Sequence, residues 1–481
     1  MSVDRHEAVI GLEVHAQLVT ATKIFCPCAT SFGEAPNSRT CPVCLGYPGA
    51  LPVLNSAAVE AAVRAALALG CDVRARSSFA RKHYFYPDLP KGYQISQYDS
   101  PLAEGGGVTI ESAAGERTIP LIRLHLEEDA GKLIHDESGD SLVDLNRAGA
   151  PLAEIVSQPE IRSPAEAHAY LERLRSILRY TGVCDGNMER GSLRCDANVS
   201  VRPRGSRELG TRTEVKNLNS FRNVKRALEY EIRRQVDLVE AGAAVVQQTL
   251  LWDAGEGRTR PMRGKEEAHD YRYLPDPDLP GLVLEPEWIE RLRRDLPELP
   301  GPRRARFITE LGVGWHEAGL LTVERRLADY FEAVVQGGAP PPAAANWVLN
   351  DILRARNETD RGDDEIPLPA RYLAELIALV ADGTISATVA RQEIFPAIHE
   401  RPRPPADVVR ERGLEQLSDD SRLERWVRQV VDEHAGAVAR YRAGKQGLLG
   451  FFVGKVMDAS GGKANPGRVA ELLRRELDGR P

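Results

Sequence analysis

The sequence predicts an α+β protein in which a mixed α/β N-terminal domain is followed by an all-helical domain and a small helical tail domain. Over residues 1–295, short apolar runs alternate with turns rich in Gly, Pro and Asp, a pattern typical of mixed strands and helices. Successive helix patterns with Pro and Gly breaks fill residues 296–405. A stiff RPRPP segment ends that region, and residues 406–481 carry a second helical group.

Size and charge restrict the class of protein. The 481 residues are 42% hydrophobic and 28% charged, as in ordinary globular proteins. We find no run of 18 apolar residues and no signal-peptide pattern at the N-terminus, so we expect a cytoplasmic protein without a membrane partner. The net charge of −7 argues against general phosphate affinity. Residues 401–481 contain 16 Lys/Arg and 12 Asp/Glu, which favours this part for a polyanionic partner.

Two helices are well marked in the N-terminal region. Ser163 can cap the first, Pro164 suits its first position, Glu166 completes a capping box and Gly182 ends it. A charged amphipathic pattern predicts the second helix over residues 221–242.

The segment LIRLHLEED, which begins at Leu121, has the period of a half-buried strand. Continuing its alternation places Glu128 on the aliphatic face. A carboxylate there must be paired, bound to a metal or displaced by a bulge, because an unpaired buried charge costs several kcal/mol. The alternative is that EED forms a solvated acidic turn.

A second strand pattern, from Ala8 to Leu18, places Glu13 and His15 on one face. Both side chains could reach a cation there, although an exposed polar face with a satisfied histidine explains the pattern equally well. Together with Glu128 and Glu154 they could form an oxygen-rich site with one imidazole. Such a donor set suits Mg²⁺, and the histidine leaves Mn²⁺ possible.

Four cysteines form a C-x-C-x12-C-x-x-C pattern at Cys26, Cys28, Cys41 and Cys44. Four thiols in two tight pairs suit a tetrahedral Zn²⁺ ion, and a cytoplasmic setting argues against two disulfides. With no vacant coordination position, the predicted zinc site is structural.

Long motifs then identify a family. The segments GLEVHAQL, CPVCLGYPGALPVLN, RKHYFYPDLPKGYQISQYD, LHLEEDAGKLIHD and GSLRCDANVSVRP resemble the B-subunit family of the heterotrimeric aspartyl/glutamyl-tRNA amidotransferase GatCAB. The resemblance covers essentially the whole chain. It implies an N-terminal cradle domain, a helical domain and a tail domain that binds tRNA.

The resemblance implies an ATP-dependent ligase with glutamine as amido donor. In this family the side-chain carboxylate of Glu-tRNA(Gln) or Asp-tRNA(Asn) is phosphorylated by ATP and then amidated with ammonia. The A subunit releases that ammonia, so the implied partners are the A and C subunits and the misacylated tRNA. No G-x-x-x-x-G-K-[ST] segment occurs, so we expect no P-loop, and no S-x-x-K or G-x-S-x-G segment nominates a glutaminase nucleophile.

Matching the family's motifs residue by residue places the metal and kinase site on Glu13, His15, Glu128 and Glu154. Contacts with ATP and with the acyl end of the tRNA fall on six polar residues, each of which could instead be an ordinary surface or network residue: Lys82, Arg194, Asp196, Asn198, Lys216 and Asn219. Three of the six alternate along LRCDANVSV, which indicates a shared strand face.

Two other function classes remain open at this point. One is a tRNA-binding scaffold subunit without chemistry, which would need no convergent Glu/His cluster. The other is a stand-alone metal-dependent ATPase or ligase, which should turn over without partner subunits.

Overall fold

The computed structural model describes residues 5–112, 115–135, 140–262, 271–358, 366, 368–415, 420–460 and 464–479. The chain divides into two compact units, Met1–Pro300 and Gly301–Pro481. The first is mixed α/β and the second is helical, which confirms the predicted fold class. The finer division into three domains, with boundaries at 295 and 405, stays a prediction.

The first unit is built around a central sheet. Its strands, and those of three smaller sheets, are β1 His6–Gln17, β2 Asp72–Val73, β3 Arg76–Ser77, β4 Ala80–His83, β5 Tyr93–Ser96, β6 Ala103–Glu104, β7 Gly107–Ser112, β8 Gly115–Glu128, β9 Lys132–His135, β10 Ser141–Asp144, β11 Pro151–Ser157, β12 Leu193–Pro203, β13 Thr213–Leu218, β14 Thr249–Asp253, β15 Arg258–Pro261, β16 Leu274–Pro275 and β17 Leu282–Val283. The central sheet has the order β15-β14-β13-β12-β1-β11-β8-β6-β2, and β7 pairs with β8. Its pairs are antiparallel except β13 with β14.

Helices of the first unit pack on the apolar face of this sheet. They are α1 Ser56–Ala68, α2 Pro164–Tyr180, α3 Phe221–Glu240 and α4 Pro286–Arg294. On β1, Leu12, Val14 and Ala16 are fully buried in one core with residues of α1 and α2. The alternate side chains of β1 therefore point to the other face, which leaves Glu13 and His15 away from the apolar core.

Both predicted helices are confirmed as α2 and α3. Ser163 caps α2 by accepting a hydrogen bond of 3.1 Å from the Glu166 backbone N–H. The reciprocal bond of the predicted capping box differs, because the Glu166 carboxylate accepts from the Arg162 N–H at 2.8 Å rather than from the N-cap residue. Helix α3 ends at Glu240, slightly before the predicted end.

The secondary-structure elements described in the second unit are all helices. They are α5 Pro300–Thr309, α6 Trp315–Leu321, α7 Arg325–Gln336, α8 Pro341–Trp347, α9 Leu353–Glu358, α10 Ala370–Ala381, α11 Ala387–Val389, α12 Phe395–Glu400, α13 Pro405–Arg412, α14 Asp420–Glu433, α15 Ala435–Arg442, α16 Leu449–Ala459 and α17 Pro466–Gly479, with π-helical turns at Val348–Ile352 and Ala390–Ile394 and a 3₁₀ turn at Gln446–Leu448. Across the described ranges, no helix is both long and apolar enough to cross a membrane.

Two hydrophobic cores organise this second unit, one between residues 307 and 409 and one between residues 423 and 477. Helix α13 belongs to the first core, where Val408 and Val409 are buried. The Ala406 N–H also donates to the Glu375 carboxylate at 3.1 Å. The chain that follows the predicted RPRPP connector therefore still packs with the preceding helices.

Candidate active site

Three neighbouring strands bring distant polar side chains into one row. Strand β11 lies between β1 and β8, and its Glu154 is opposite His15 on one side and His125 on the other. The two segments that the sequence analysis placed together only by inference are thus joined through β11. The shared row follows from the antiparallel register, since residues directly opposite each other lie on the same face.

His15, Glu127 and Glu154 converge within this row. One ligand atom from each lies within 4.8 Å of the other two, so the three could hold a metal ion. The His15 Nε2 atom is 3.4 Å from Glu127 Oε1 and 3.4 Å from Glu154 Oε2. The His15 side chain remains 21% exposed and that of Glu154 14% exposed. The cluster is therefore partly exposed to solvent, and its three ligand atoms would leave coordination positions open for an exchanging ligand.

His125 is a fourth member of the cluster that the sequence analysis missed. Its Nε2 atom lies 3.2 Å from Glu154 Oε2 and 3.7 Å from Glu127 Oε2, and the residue is 2% exposed. The signal was available in the sequence, because His125 and Glu127 are two apart on β8 and so share a face.

The pKa values in the cluster are set by competition between burial and opposite charge. Burial lowers the pKa of His125, but the Glu154 charge and hydrogen bonds to Glu127 and Glu154 outweigh it and raise the pKa to about 9. Burial likewise lowers the pKa of His15, whereas its hydrogen bond to Glu154 and the two carboxylate charges raise it overall. For Glu154, burial raises the pKa, but the two histidines bring it well below its usual range. The carboxylates therefore need a positive partner, which protonated histidine or a divalent cation can supply.

Glu128 lies outside this cluster. The prediction had placed it in one cation site with Glu13, His15 and Glu154. As the strand pattern predicted, its side chain is on the face opposite to that of Glu127 and is buried. Its Oε1 atom accepts hydrogen bonds from Lys91 Nζ and, at 2.9 Å, from the backbone N–H of Ile95. Of the three outcomes considered for this carboxylate, pairing is the one observed.

The pair formed by Glu128 and Lys91 borders a small cavity of about 100 Å³. Cys26 and Cys44 line the same cavity. Glu128 therefore faces the cysteine-rich segment. Glu127 occupies the place in the cluster that was predicted for Glu128.

The predicted shared face of LRCDANVSV is present on β12, next to β1. Asn198 donates to Glu13 Oε1 at 2.8 Å, and Asp196 accepts from Lys216 Nζ at 2.7 Å. Lys216 also pairs with Glu214 at 2.8 Å. Burial and then the neighbouring carboxylates raise the pKa of Glu13. These four predicted residues, with Glu214, form two adjacent polar groups beside the His–Glu cluster, and Glu13 lies opposite Asp196 across the two strands.

Arg194, Lys82 and Asn219 complete the predicted set. Arg194 lies opposite His15 and pairs with Asp129 at 2.8 Å. Lys82 Nζ lies 4.7 Å from the ring centroid of Tyr271, a cation–π distance. Asn219 is exposed and accepts a hydrogen bond of 2.6 Å from an asparagine in the first turn of α3. Within the described residues, no contact joins Asn219 to the cluster.

The four cysteines form a second possible metal site. Their Sγ atoms all lie within 4.8 Å of one another, near the separation of about 3.8 Å that four sulfurs around a zinc ion adopt. Cys26 and Cys44 are buried, and Cys28 and Cys41 are partly buried. A hydrogen bond with Cys26, a backbone hydrogen bond from Cys41 and the Lys23 charge lower the pKa of Cys44, and together they outweigh burial, which raises it. The cluster is compatible with a structural zinc ion.

Comparison with known proteins supports a common origin over the whole chain. Residues 8–290 match the model of the GatB/GatE catalytic domain, and residues 329–477 match that of the GatB domain. The chain is 54% identical over 478 residues to the B subunit of the aspartyl/glutamyl-tRNA(Asn/Gln) amidotransferase of Geotalea daltonii, covering 98% of this chain and 100% of that protein. The protein of the same name from Thermodesulfovibrio yellowstonii is 53% identical over 469 residues, with 98% of each chain covered. Because the matches span the mixed α/β unit and the helical unit, the chain belongs to the GatB family of amidotransferase B subunits.

Proposed function

We propose that this chain is the subunit of a tRNA-dependent amidotransferase that activates a tRNA-bound carboxylate. The side-chain carboxylate of Glu-tRNA(Gln) or Asp-tRNA(Asn) would attack the γ-phosphate of ATP, giving an acyl phosphate and ADP. Ammonia would then attack the acyl carbon and release phosphate. The observation that carries the proposal is the open cluster of His15, Glu127 and Glu154, which lies within the segment matched by the catalytic-domain model.

The cluster fits a divalent cation. Two carboxylates and one imidazole suit Mg²⁺ or Mn²⁺, and three protein ligands leave coordination positions for water and phosphate. His15, Glu127 and Glu154 would hold the ion, which when bound supplies charge neutralisation for ATP's phosphates. His125, which contacts both carboxylates, would fix their orientation.

The neighbouring side chains would bind the substrates. Lys82 and Arg194 flank the cluster with positive charge and would contact phosphate oxygens, where charge develops during transfer. Lys216, held by Asp196, would act in the same way at the edge of the site. The hydrogen-bonded pair of Glu13 and Asn198 would orient the ATP or the aminoacyl group. Asn219 would contribute only if substrate reached the start of α3.

The four cysteines would hold one structural Zn²⁺ ion. Cys26, Cys28, Cys41 and Cys44 leave no coordination position for substrate, so the ion would stabilise the loops between β1 and α1 and take no part in the reaction.

The proposed function requires partners. The A subunit would release ammonia from glutamine, the C subunit would complete the trimer, and the misacylated tRNA would contact the helical unit. We place the assembly in the cytoplasm.

The test compares three reactions of the reconstituted complex. In a Glu154→Gln enzyme, amidation should fall about 100-fold or more with either glutamine or added ammonia, because both routes need the activated carboxylate. Glutamine hydrolysis should persist, because that chemistry lies on another chain. The control is Glu116→Gln, which replaces an exposed glutamate on the same strand as Glu127.

Near-normal ammonia-dependent amidation by both Glu154→Gln and His15→Ala would contradict the proposal. The cluster would then be structural, and the chain would be a tRNA-binding scaffold. Amidation by this chain without its partner subunits would instead identify a stand-alone ligase.

A further inference from the structure

A lysine is completely buried against the four-cysteine cluster. Lys23 has no exposed surface, and its Nζ atom donates to Cys44 Sγ at 3.6 Å and to the Leu145 carbonyl at 3.3 Å. A buried ammonium group is strongly unfavourable unless an anion compensates it. The neutral carbonyl does not supply that charge, so the sulfur is the partner that matters.

A buried carboxylate in the same region already has a cation. A Cβ atom placed on Gly149 would lie 3.5 Å from Lys23 Cδ and 3.8 Å from Glu128 Oε2, so Lys23 and Glu128 both border Gly149. Glu128 is paired through its other oxygen with Lys91 and the Ile95 N–H. Among the described residues, no carboxylate forms an ion pair with Lys23.

The backbone holds Lys23 in place. Its N–H donates to the Cys28 carbonyl at 2.9 Å, inside the cysteine segment. The next residue, Ile24, donates to the Gly149 carbonyl at 2.9 Å, and Asn55 donates to the Lys23 carbonyl at 3.3 Å. Three segments therefore fix the position from which the ammonium group reaches the sulfur.

We propose that Lys23 is a positioning residue that balances charge at the four-cysteine zinc site. A zinc ion bound by four thiolates carries two net negative charges, and burying that charge is unfavourable. The Lys23 ammonium group donates an N–H···S hydrogen bond to the Cys44 thiolate and offsets one of those charges. The inference rests on the proposed zinc site, and it assigns to Lys23 a measurable part of the affinity with which the zinc is retained.

The experiment measures zinc retention rather than activity. Lys23→Met keeps the apolar stem and removes the charge, and loss of such an outer partner typically weakens metal binding 10- to 100-fold. We expect this loss of zinc affinity when the variant competes with a chromophoric chelator for zinc. In the Co²⁺-loaded variant, we also expect the thiolate charge-transfer band to shift. The control is Lys132→Met, which removes an exposed lysine of the same unit and should leave zinc affinity unchanged.

Two results separate the failure of this inference from failure of the zinc site itself. Wild-type protein without stoichiometric zinc would contradict the proposed zinc site. Zinc-loaded wild type and Lys23→Met with affinities within twofold of each other would overturn only the role of Lys23. If Lys23→Met does not fold, ¹¹³Cd-loaded wild type decides by NMR. A slowly exchanging Lys23 ammonium signal coupled to cadmium is expected, and a rapidly exchanging, uncoupled one would overturn the inference.

Discussion

The two candidate metal sites of the first unit are built in opposite ways. The four cysteines come from one segment, Cys26 to Cys44, and two of the four side chains are buried. The ligands of the His–Glu cluster come from three strands, and their sequence positions extend from His15 to Glu154. The first site is local and closed, whereas the second is non-local and open.

This difference separates two roles for a metal ion. A closed site of four thiolates can contribute only to folding, since no coordination position remains for a substrate. An open cluster keeps part of the coordination sphere for waters and phosphates, so it can take part in a reaction. Changes at the cysteines should therefore affect stability first, and changes at the cluster should affect turnover first.

The largest expected effect on turnover is that of Glu127→Gln. Removing one carboxylate from the open cluster should reduce ammonia-dependent amidation 100- to 1,000-fold, about 3–4 kcal/mol of transition-state stabilisation. Because Glu127 is buried beside His15 and His125, its loss should also destabilise the first unit, by about 3 kcal/mol, so turnover is compared well below the unfolding temperature. Single-turnover assays with misacylated tRNA and ATP measure the loss. Wild-type amidation by the Glu127→Gln enzyme would show that this carboxylate takes no part in the reaction.

The corresponding change at the closed site is Cys41→Ser. It should release the zinc and lower the melting temperature, because a four-thiolate site supplies folding free energy. Protein that remains folded should retain amidation within about tenfold of wild type. Zinc analysis, calorimetry and the ammonia-dependent assay together test this. A loss of turnover with zinc and melting temperature intact would reverse the roles assigned to the two sites.

Glu128→Gln provides a direct comparison with the adjacent Glu127. Because Glu128 is buried with Lys91, breaking the pair should destabilise the protein by about 3 kcal/mol. The double variant Glu128→Gln/Lys91→Met should recover part of that loss, since it removes both charges. Urea unfolding of the single and double variants measures the coupling. Purely additive losses would show that the pair contributes nothing as a pair.

The pH dependence of stability should report the His–Glu cluster, measured without added divalent cations. Because the pKa of His125 is raised from 6.5 to about 9, its stabilisation is complete below pH 6.5 and is lost as the pH rises through 9. The loss should be on the order of 3 kcal/mol at most. Urea unfolding at several pH values tests this. His125→Gln should flatten the profile, and an unchanged slope would assign the effect to other groups.

The smallest expected effect concerns the tail. A chain that ends at Glu415 keeps α13, which packs on the first helical core, and lacks the core formed by residues 423–477. We expect the Michaelis constant for tRNA to rise several-fold, with glutamine hydrolysis unchanged, if the tail's basic residues contact phosphate. Filter binding at two salt concentrations checks the contact. Equal tRNA affinity in both complexes would assign the tail another role.

The sequence alone determined the features that depend on local spacing. The helix signals around Ser163 and Gly182, the alternating faces of β1, β8 and β12, and the cysteine pattern all depend on short stretches of chain. The periodicity and the capping residues are physical requirements of helices and strands. Both could therefore be predicted without knowing which other segments pack against them. Family motifs also predicted most of the residues that the sheet brings together.

Only the tertiary structure decided which of two adjacent glutamates joins the cluster. The sequence pattern correctly predicted that Glu128 is buried, but it could not identify Lys91 as the group that compensates it. The place of Glu127 beside His15 depends on the register of β8, β11 and β1, and a shift of one residue would exchange the two faces. That register is set by side chains far apart in the chain, and this is why local periodicity identified the carboxylates without assigning their partners.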